Sequence, residues 1–362
     1  MPSSGIGHCS LGIGLEFAIW HLGFCPEPVT MRRILTPLAV ALGVYVVLQA
    51  LMRTGVLNLY WQQIIQLGCI VTISALGLNL IYGFTGQFSL GHAAFYGIGA
   101  YTAAFITRTW PGGGVLAFVI GLLAGTALAG LIALLIGLPI LRLRSDYLGI
   151  ATLGFGIIMK VVFDNLNFLG GSRGMTGIPG YTGFAWVFFL GLAGVVALRN
   201  LIYSSIGRAL LSIREDEIAA EAIGVDTTRY KTLGFVVGCC YAGLAGGLYA
   251  HLYKLLHPSN FDFLKSIDVL LVVVLGGLGS MSGTVIAAVA WTFLLEGLRV
   301  VLPPEILDWR LVIYPLLLII VMLLRPKGLF GGREFRFLIP REPRARGGKG
   351  SGVRGQGSGG AA

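Results

Sequence analysis

The chain has 362 residues, of which 56% are hydrophobic and only 12% are charged, and its mean hydropathy is +0.83. This balance excludes an ordinary soluble domain and is typical of a protein that crosses a membrane many times. The formal net charge is +10, but the basic residues lie mostly between and after the apolar stretches, so they indicate membrane orientation rather than nucleic-acid binding.

Three parts are expected along the chain. Residues 1–30 lack the basic start and the small-residue cleavage pattern of a signal peptide, so we expect an N-terminal extension. Either it is loosely attached, or it arises from a misplaced start upstream of Met31. A transmembrane domain at 31–331, with a polar loop at about 203–231, is followed by a basic Gly/Arg-rich tail at 332–362. We expect this tail to be disordered and to touch anionic membrane lipid.

Ten apolar stretches follow Met31, and helices are the expected structure because backbone groups in hydrocarbon must bond within their own segment. The sequence therefore predicts an all-α polytopic membrane protein with about ten transmembrane helices. The stretch at 267–280 is short and ends in glycines, so a short, broken crossing is expected there. The ten lie at residues 34–52, 63–82, 88–107, 115–141, 147–163, 183–199, 233–256, 267–280, 283–301 and 309–325.

Basic residues predict the orientation of these crossings, because Lys and Arg accumulate on the cytoplasmic side. Arg32 and Arg33 precede the first stretch, Arg142 and Arg144 follow the fourth, and nine basic residues occupy 325–354. All of these clusters fall on one side if every stretch crosses. Both termini are therefore predicted to be cytoplasmic.

The segment "GFTGQFSLGHAAFYGIGAYTAA" at 83–104 combines glycines with polar side chains inside an apolar context. Small residues recur every fourth position at Ser89, Ala93 and Gly97, which favours close helix packing. Gln87, Ser89 and His92 are expected to face other helices or a wet cavity, since unpaired polar groups facing lipid are costly.

The polar loop contains "SIGRALLSIREDEIAAEAIGVDTTRYK". Its alanines favour helix, Gly224 offers a stop and Asp226 a new N-cap, so two short helices joined at a glycine are expected. Alanines at the crest would admit a partner protein, with charged residues around them. From the residues alone, a solvated loop helix is an equally good interpretation.

Motifs for catalysis, nucleotide binding and metal binding are not found. No GxxxxGK[ST] sequence is present, and no Ser/His/Asp set or carboxylate pair converges. The five cysteines lack ligand spacing, so no metal site is predicted. Lys160 and Asp164, and likewise Glu296 and Arg299, are expected to pair along their own helices.

Six segments, taken in order over about 34–331, resemble the branched-chain amino acid ABC transporter permease family of the LivM type. Residues 1–30 and the tail after about 335 lie outside the resemblance. The segments are "GLNLIYGFTGQFSLGHAAFYGIGAY", "LRLRSDYLGIATLGFG", "GGSRGMTGIPG", "GRALLSIREDEIAAEAIGVDTTRYK", "LLVVVLGGLGSMSGTVIAA" and "RPKGLFG".

This resemblance implies a permease subunit of an ATP-driven importer in the bacterial plasma (inner) membrane. Its implied partners are a second permease subunit in a heterodimer, two ABC ATPase subunits that carry ATP and Mg, and a periplasmic or surface-anchored substrate-binding protein. No cofactor is expected in this chain, which is not expected to be an enzyme. Branched-chain amino acids are the expected substrates, with urea, short amides or other amino acids as alternatives.

The resemblance also implies roles for particular residues. The loop at 203–231 corresponds to the segment that docks on the ATPase, although its glycine comes one residue late when counted from Glu217, which leaves the individual docking residues open. The ATPase-coupling residues are predicted to be Arg208, Arg214, Glu217, Ala219, Ala220, Glu221, Ala222 and Gly224. The translocation path or helix packing is predicted to involve Gln87, Ser89, His92, Ala93, Gly97, Gly276, Gly277 and Gly279.

The alternative from another class is a carrier or channel that needs no ATPase. Such a protein is expected to show internal repeats and ionisable groups near the membrane midplane. The sequence has no clear repeat and almost no midplane charge.

Overall fold

A computed structural model describes residues 32–301, apart from 56 and 142–144, together with positions 316, 319, 320, 323 and 328. The predicted extension 1–30 and tail 332–362 lie outside the described residues, as does nearly all of the stretch predicted at 309–325.

The described residues form eleven α-helices and one small two-stranded antiparallel β-sheet. A π-helical segment, Asn79–Phe84, continues α2. The helices are α1 Arg32–Arg53, α2 Leu59–Leu78, α3 His92–Thr109, α4 Gly114–Ile140, α5 Ser145–Asn165, α6 Phe184–Ile202, α7 Ser205–Glu215, α8 Glu217–Ala222, α9 Thr227–Tyr253, α10 Phe263–Gly276 and α11 Met281–Val301. The strands are β1 Met175–Thr176 and β2 Leu255–Leu256, paired antiparallel.

Helices cover most of each predicted stretch up to residue 301, which confirms a helical protein with several apolar spans. The number ten is not confirmed, because among the described residues six helices are long and apolar enough to cross a membrane: α2 with its π-helical segment, α4, α5, α6, α9 and α11. The helix α10 has 14 residues, about 21 Å at 1.5 Å per residue, which is short of a hydrocarbon core of about 30 Å.

The core lies where α2, α3, α4 and α9 pack together. Small residues permit this packing, since Gly99 lies against the backbone of Gly243, and Gly246 lies against the carbonyl of Tyr96. Both are positions where a Cβ would overlap backbone atoms. Fully buried aromatic side chains fill the space around these contacts, among them Phe95, Phe118 and Phe235.

The long helices run alternately between two ends of the bundle. At one end, named here the segment end, α7 and α8 lie beside two interruptions of the helices. We call residues 85–91 the first break and residues 277–280 the second break. The opposite end, named the strand end, carries β1 and β2.

Candidate functional site

The helix α7 is amphipathic and packs one face on the bundle. Ile206, Leu210 and Ile213 are buried at helical spacing, and Leu210 packs with Leu80 of the π-helical segment in one apolar cluster. Arg208 lies exposed on the same helix. The polar loop is therefore attached to the protein over one helix face.

The helix α8 begins at a side-chain cap and ends at a glycine turn, after which a second cap begins α9. Asp216 accepts hydrogen bonds from the backbone N–H groups of Ile218 and Ala219 at 2.9 and 3.1 Å. Gly224 ends the turn with φ +90°, and Asp226 then caps α9. The predicted glycine stop and Asp226 cap are confirmed.

The prediction of two short helices joined at a glycine is wrong. The two short helices are α7 and α8, and they meet at Asp216, whose extended backbone (φ −158°, ψ 112°) and capping carboxylate begin a new helix. The helix after Gly224 is the long α9, which begins at Thr227, several residues before the apolar stretch predicted from 233. A capped polar turn extends this helix beyond its apolar portion.

The exposed surface of α8 is more apolar than its charged sequence suggests. The side chains of Ile218 and Ile223 are 80% and 78% exposed, and Ala219 and Ala222 are exposed beside them. Ala220, in contrast, is 2% exposed and faces the protein, so it does not lie on the crest expected from the sequence. The two isoleucines and the two alanines make an apolar patch on the exposed side of this helix.

Two carboxylates of α8 hold it against the start of α9. Glu221 accepts a hydrogen bond of 2.6 Å from the hydroxyl of Thr227, and Glu217 forms an ion pair with Lys231. These contacts place the exposed apolar face of α8 in a defined orientation.

The polar residues predicted around the first break lie inside the protomer. His92 is buried and its Nε2 lies 3.0 Å from the carbonyl oxygen of Ser74. Gln87 is 3% exposed, and among the described residues neither atom of its side-chain amide has a hydrogen-bond partner. Ser89 is likewise buried. Their amide, hydroxyl and imidazole groups are directed away from lipid.

The small residues of the same segment have different neighbours. The backbone N–H of Ala93 donates to the hydroxyl of Ser266 at 2.9 Å, which joins α3 to α10. Gly97 lies against the rings of Phe163 and Phe261. Packing between helices therefore accounts for these two positions.

The three predicted glycines near 277 shape the second break. Gly277 and Gly279 have φ values of +105° and +77°, which L-residues with side chains rarely adopt, and Gly276 packs on the backbone of Gly283. The turn allows α11 to return closely beside α10. A tight helical hairpin results.

One side chain that sequence reasoning missed, Asn79, joins the π-helical segment before the first break to the second break. Its Nδ2 donates to the carbonyl of Ser280 at 3.0 Å and to the hydroxyl of Thr284 at 2.9 Å, and its Oδ1 accepts from the N–H of Gly279 at 3.0 Å. Asn79 is fully buried. An isolated amide within an otherwise apolar stretch was the signal that could have identified it.

Arg214, in the last turn of α7, reaches both breaks. Its Nη1 donates to the carbonyl of Gly83 at 2.7 Å. A Cβ added to Gly279 would lie 2.6 Å from that nitrogen, and one added to Gly86 would lie 3.4 Å from the Cγ of Arg214. Arg214 is exposed, and from the loop its guanidinium also contacts the bundle at Gly83.

Ion pairs at the strand end differ in part from those predicted. Lys160 pairs with Asp262 at 2.8 Å rather than with Asp164, because Asp262 caps α10 at a position that faces α5. The hydrogen bond from Lys160, followed by that from the N–H of Phe263, lowers the pKa of Asp262. The predicted pair of Glu296 and Arg299 is confirmed at 3.7 Å.

A family model described as the permease component of branched-chain amino acid transport systems matches residues 60–322. The chain belongs to this family. It is 33% identical over 299 residues to the high-affinity branched-chain amino acid transport system permease protein LivM of Salmonella typhimurium, an alignment that covers 72% of this chain and 67% of the relative. It is 26% identical over 298 residues to the LivH permease protein of Escherichia coli, covering 75% and 94% of the two chains. No solved structure matches the chain.

Membership of the permease family, together with several apolar helices, makes this a multi-pass membrane protein and not an enzyme. Within this permease, the two breaks and the α7–α8 segment (residues 205–222) meet at one end of the bundle. This juxtaposition is the candidate functional site.

Proposed function

We propose that this chain is the transmembrane permease subunit of an ATP-driven ABC importer for branched-chain amino acids in the bacterial plasma (inner) membrane. The family match over residues 60–322 and the names of its relatives support the assignment. Urea, short amides or other amino acids are alternative substrates for a permease of this kind.

Energy enters from separate ATPase subunits that bind ATP and Mg, and the α7–α8 segment is where they dock. The observation that carries this proposal is the exposure of Ile218 and Ile223 on a helix held by Glu217 and Glu221. Covering an isoleucine side chain is favourable by about 2 kcal/mol, so a partner surface that buries both gains substantial affinity. We place the segment end in the cytoplasm, since Arg199, Arg208, Arg214, Arg229 and Lys231 lie there.

A heterodimer with a second permease subunit is favoured over a homodimer. Two different permease proteins of one organism, LivM and LivH of Escherichia coli, both match this chain. A periplasmic or surface-anchored binding protein delivers the solute at the strand end, and the ATPase subunits bind the segment end. Solute then moves as the bundle alternates between two states that ATP and solute stabilise differently.

The proposal is tested by rebuilding the importer in liposomes from this chain, the second permease, both ATPase subunits and the binding protein. We expect uptake of labelled leucine that requires ATP, that excess isoleucine and valine suppress, and that acetamide and urea leave unchanged. Suppression by urea or acetamide alone would assign one of the alternative substrates. Leucine uptake of equal rate without ATPase would identify an autonomous carrier or channel instead.

A further inference from the structure

We infer that Arg214 is the positioning residue that transmits movement of the α7–α8 segment to the two helix breaks. The inference rests on the proposed function, because it concerns how docking at α8 reaches the helices that move. Arg214 lies two residues before Asp216, where α8 begins. It is the basic side chain in the last turn of α7, just before the docking helix.

The first contact of Arg214 is with a carbonyl that the first break leaves available. The carbonyls of residues 80, 81 and 82 accept hydrogen bonds from the N–H groups of residues 85, 87 and 86. The next carbonyl, that of Gly83, accepts from the guanidinium of Arg214 at 2.7 Å. Because the donor is charged and the acceptor ends a helix, this hydrogen bond is stronger than a neutral one.

The second contact of Arg214 is with glycines that make space for it. Gly86 in the first break and Gly279 in the second both have positive φ, and each lies directly against the side chain of Arg214. A side chain at 279 would displace the guanidinium. One arginine thus lies against the backbone of both breaks.

The two breaks are themselves joined, so a force applied through Arg214 acts on both. Asn79 makes three hydrogen bonds with the second break and the start of α11, from the same π-helical segment whose carbonyl Arg214 holds. The apolar face of α7 packs on the bundle through Leu210 and its neighbours, but apolar contacts are not directional. The hydrogen bond from Arg214 to Gly83 joins α7 to the segment that leads into the first break.

The experiment compares variants in the rebuilt importer by the number of ATP molecules hydrolysed for each leucine taken up. Arg214→Met keeps the aliphatic part of the side chain and removes the donor. We expect this variant to bind the ATPases and hydrolyse ATP at the wild-type rate, while uptake falls at least tenfold, so the ratio rises by the same factor. Arg214→Lys retains a charged donor without the planar fork, and we expect an intermediate ratio.

The matched control is Arg229→Met, which removes an exposed arginine from the first turn of α9 without touching either break, and we expect the wild-type ratio. A wild-type ratio in Arg214→Met would overturn the inference. Loss of ATPase binding in that variant would also overturn it, because Arg214 would then act in docking. Should Arg214→Met fail to assemble, a wild-type ratio in Arg214→Lys is the overturning result. Failure of the proposed function is distinguished by the wild-type complex, which would show no ATP-dependent uptake.

Discussion

Single polar side chains fix how the helix ends of this permease are arranged, and Asn79 is the clearest case. A fully buried amide with three hydrogen bonds is favourable only while all of its partners stay in place. It therefore holds the second break in one geometry relative to α2.

We predict that Asn79→Ala destabilises the protein by about 1–3 kcal/mol, because the half-buried N–H of Gly279 loses its acceptor, and the carbonyl of Ser280 and the hydroxyl of Thr284 each lose one donor. Thermal unfolding of the detergent-purified chain measures this. Asn165→Ala is the control, since Asn165 is exposed and donates only to the carbonyl of Val161 on its own helix. Equal unfolding temperatures for the two variants would contradict the role of Asn79.

The ion pair of Lys160 and Asp262, at the strand end, predicts that the stability of the fold depends on pH. Because the pKa of Asp262 is lowered in the folded protein, the pair stabilises the fold at neutral pH, and this contribution is lost as pH falls through the lowered value. Both side chains are about one third exposed, so the contribution is modest, about 0.5–1 kcal/mol.

The test is thermal unfolding of wild type and Asp262→Asn between neutral and strongly acidic pH. Asparagine retains the capping oxygen for Phe263 and loses only the charge. We predict that wild type is more stable at neutral pH and that the difference disappears in acid. A difference that stays constant with pH would show that the ion pair contributes nothing.

At the scale of helices, backbone contact between α3 and α9 depends on glycines. Gly246 has no room for a Cβ beside the carbonyl of Tyr96, so we predict that Gly246→Ala pushes the helices apart and costs about 2–3 kcal/mol. Gly154→Ala is the matched control, because a Cβ there meets open space within α5 and raises helix propensity by up to about 1 kcal/mol. Thermal unfolding measures the stability of the two variants. Equal unfolding temperatures would contradict close packing at Gly246.

The docking surface of α8 gives a second prediction at this scale. Ile218→Asp places an acidic residue in the first turn of α8, where the helix tolerates it, but removes an exposed apolar contact. We expect co-purification of the ATPase subunits to fall more than tenfold, while Ile218→Val retains it. Wild-type ATPase binding by the aspartate variant would exclude Ile218 from the docking surface.

Most helices could be predicted from the sequence, because apolar length and glycine or aspartate boundaries are local properties. The helix boundary at Asp216 was missed, because it depends on how a capping side chain competes with a run of helix-favouring residues. The sequence also did not show that the helix capped by Asp226 continues into the apolar stretch from 233. The partner of Lys160 was also missed, because pairing across the bundle needs the position of Asp262 in space.

The candidate site was predicted only in part. The loop and the two glycine-rich segments were identified from composition, but their meeting through Asn79 and Arg214 is a tertiary fact that spacing does not contain. The exposed face of α8 was misjudged at Ala220, because the side of a short helix that becomes buried is set by tertiary packing.

At the scale of the whole molecule, the two ends of this permease carry different features. The segment end brings the α7–α8 segment and both breaks together, and the strand end carries β1, β2 and the Lys160–Asp262 pair. The proposed function assigns docking of the ATPase subunits to the segment end and delivery of the solute to the strand end.

The central claim, that α8 faces the cytoplasm and is covered by the ATPase, is tested most directly by labelling a single cysteine. Ala222→Cys is introduced at this exposed position after the five native cysteines have been replaced, and a membrane-impermeant thiol reagent is applied to oriented vesicles. We predict labelling in inside-out vesicles stripped of ATPase, and protection once the ATPase subunits are added back. Labelling in right-side-out vesicles, or equal labelling with and without ATPase, would contradict the account.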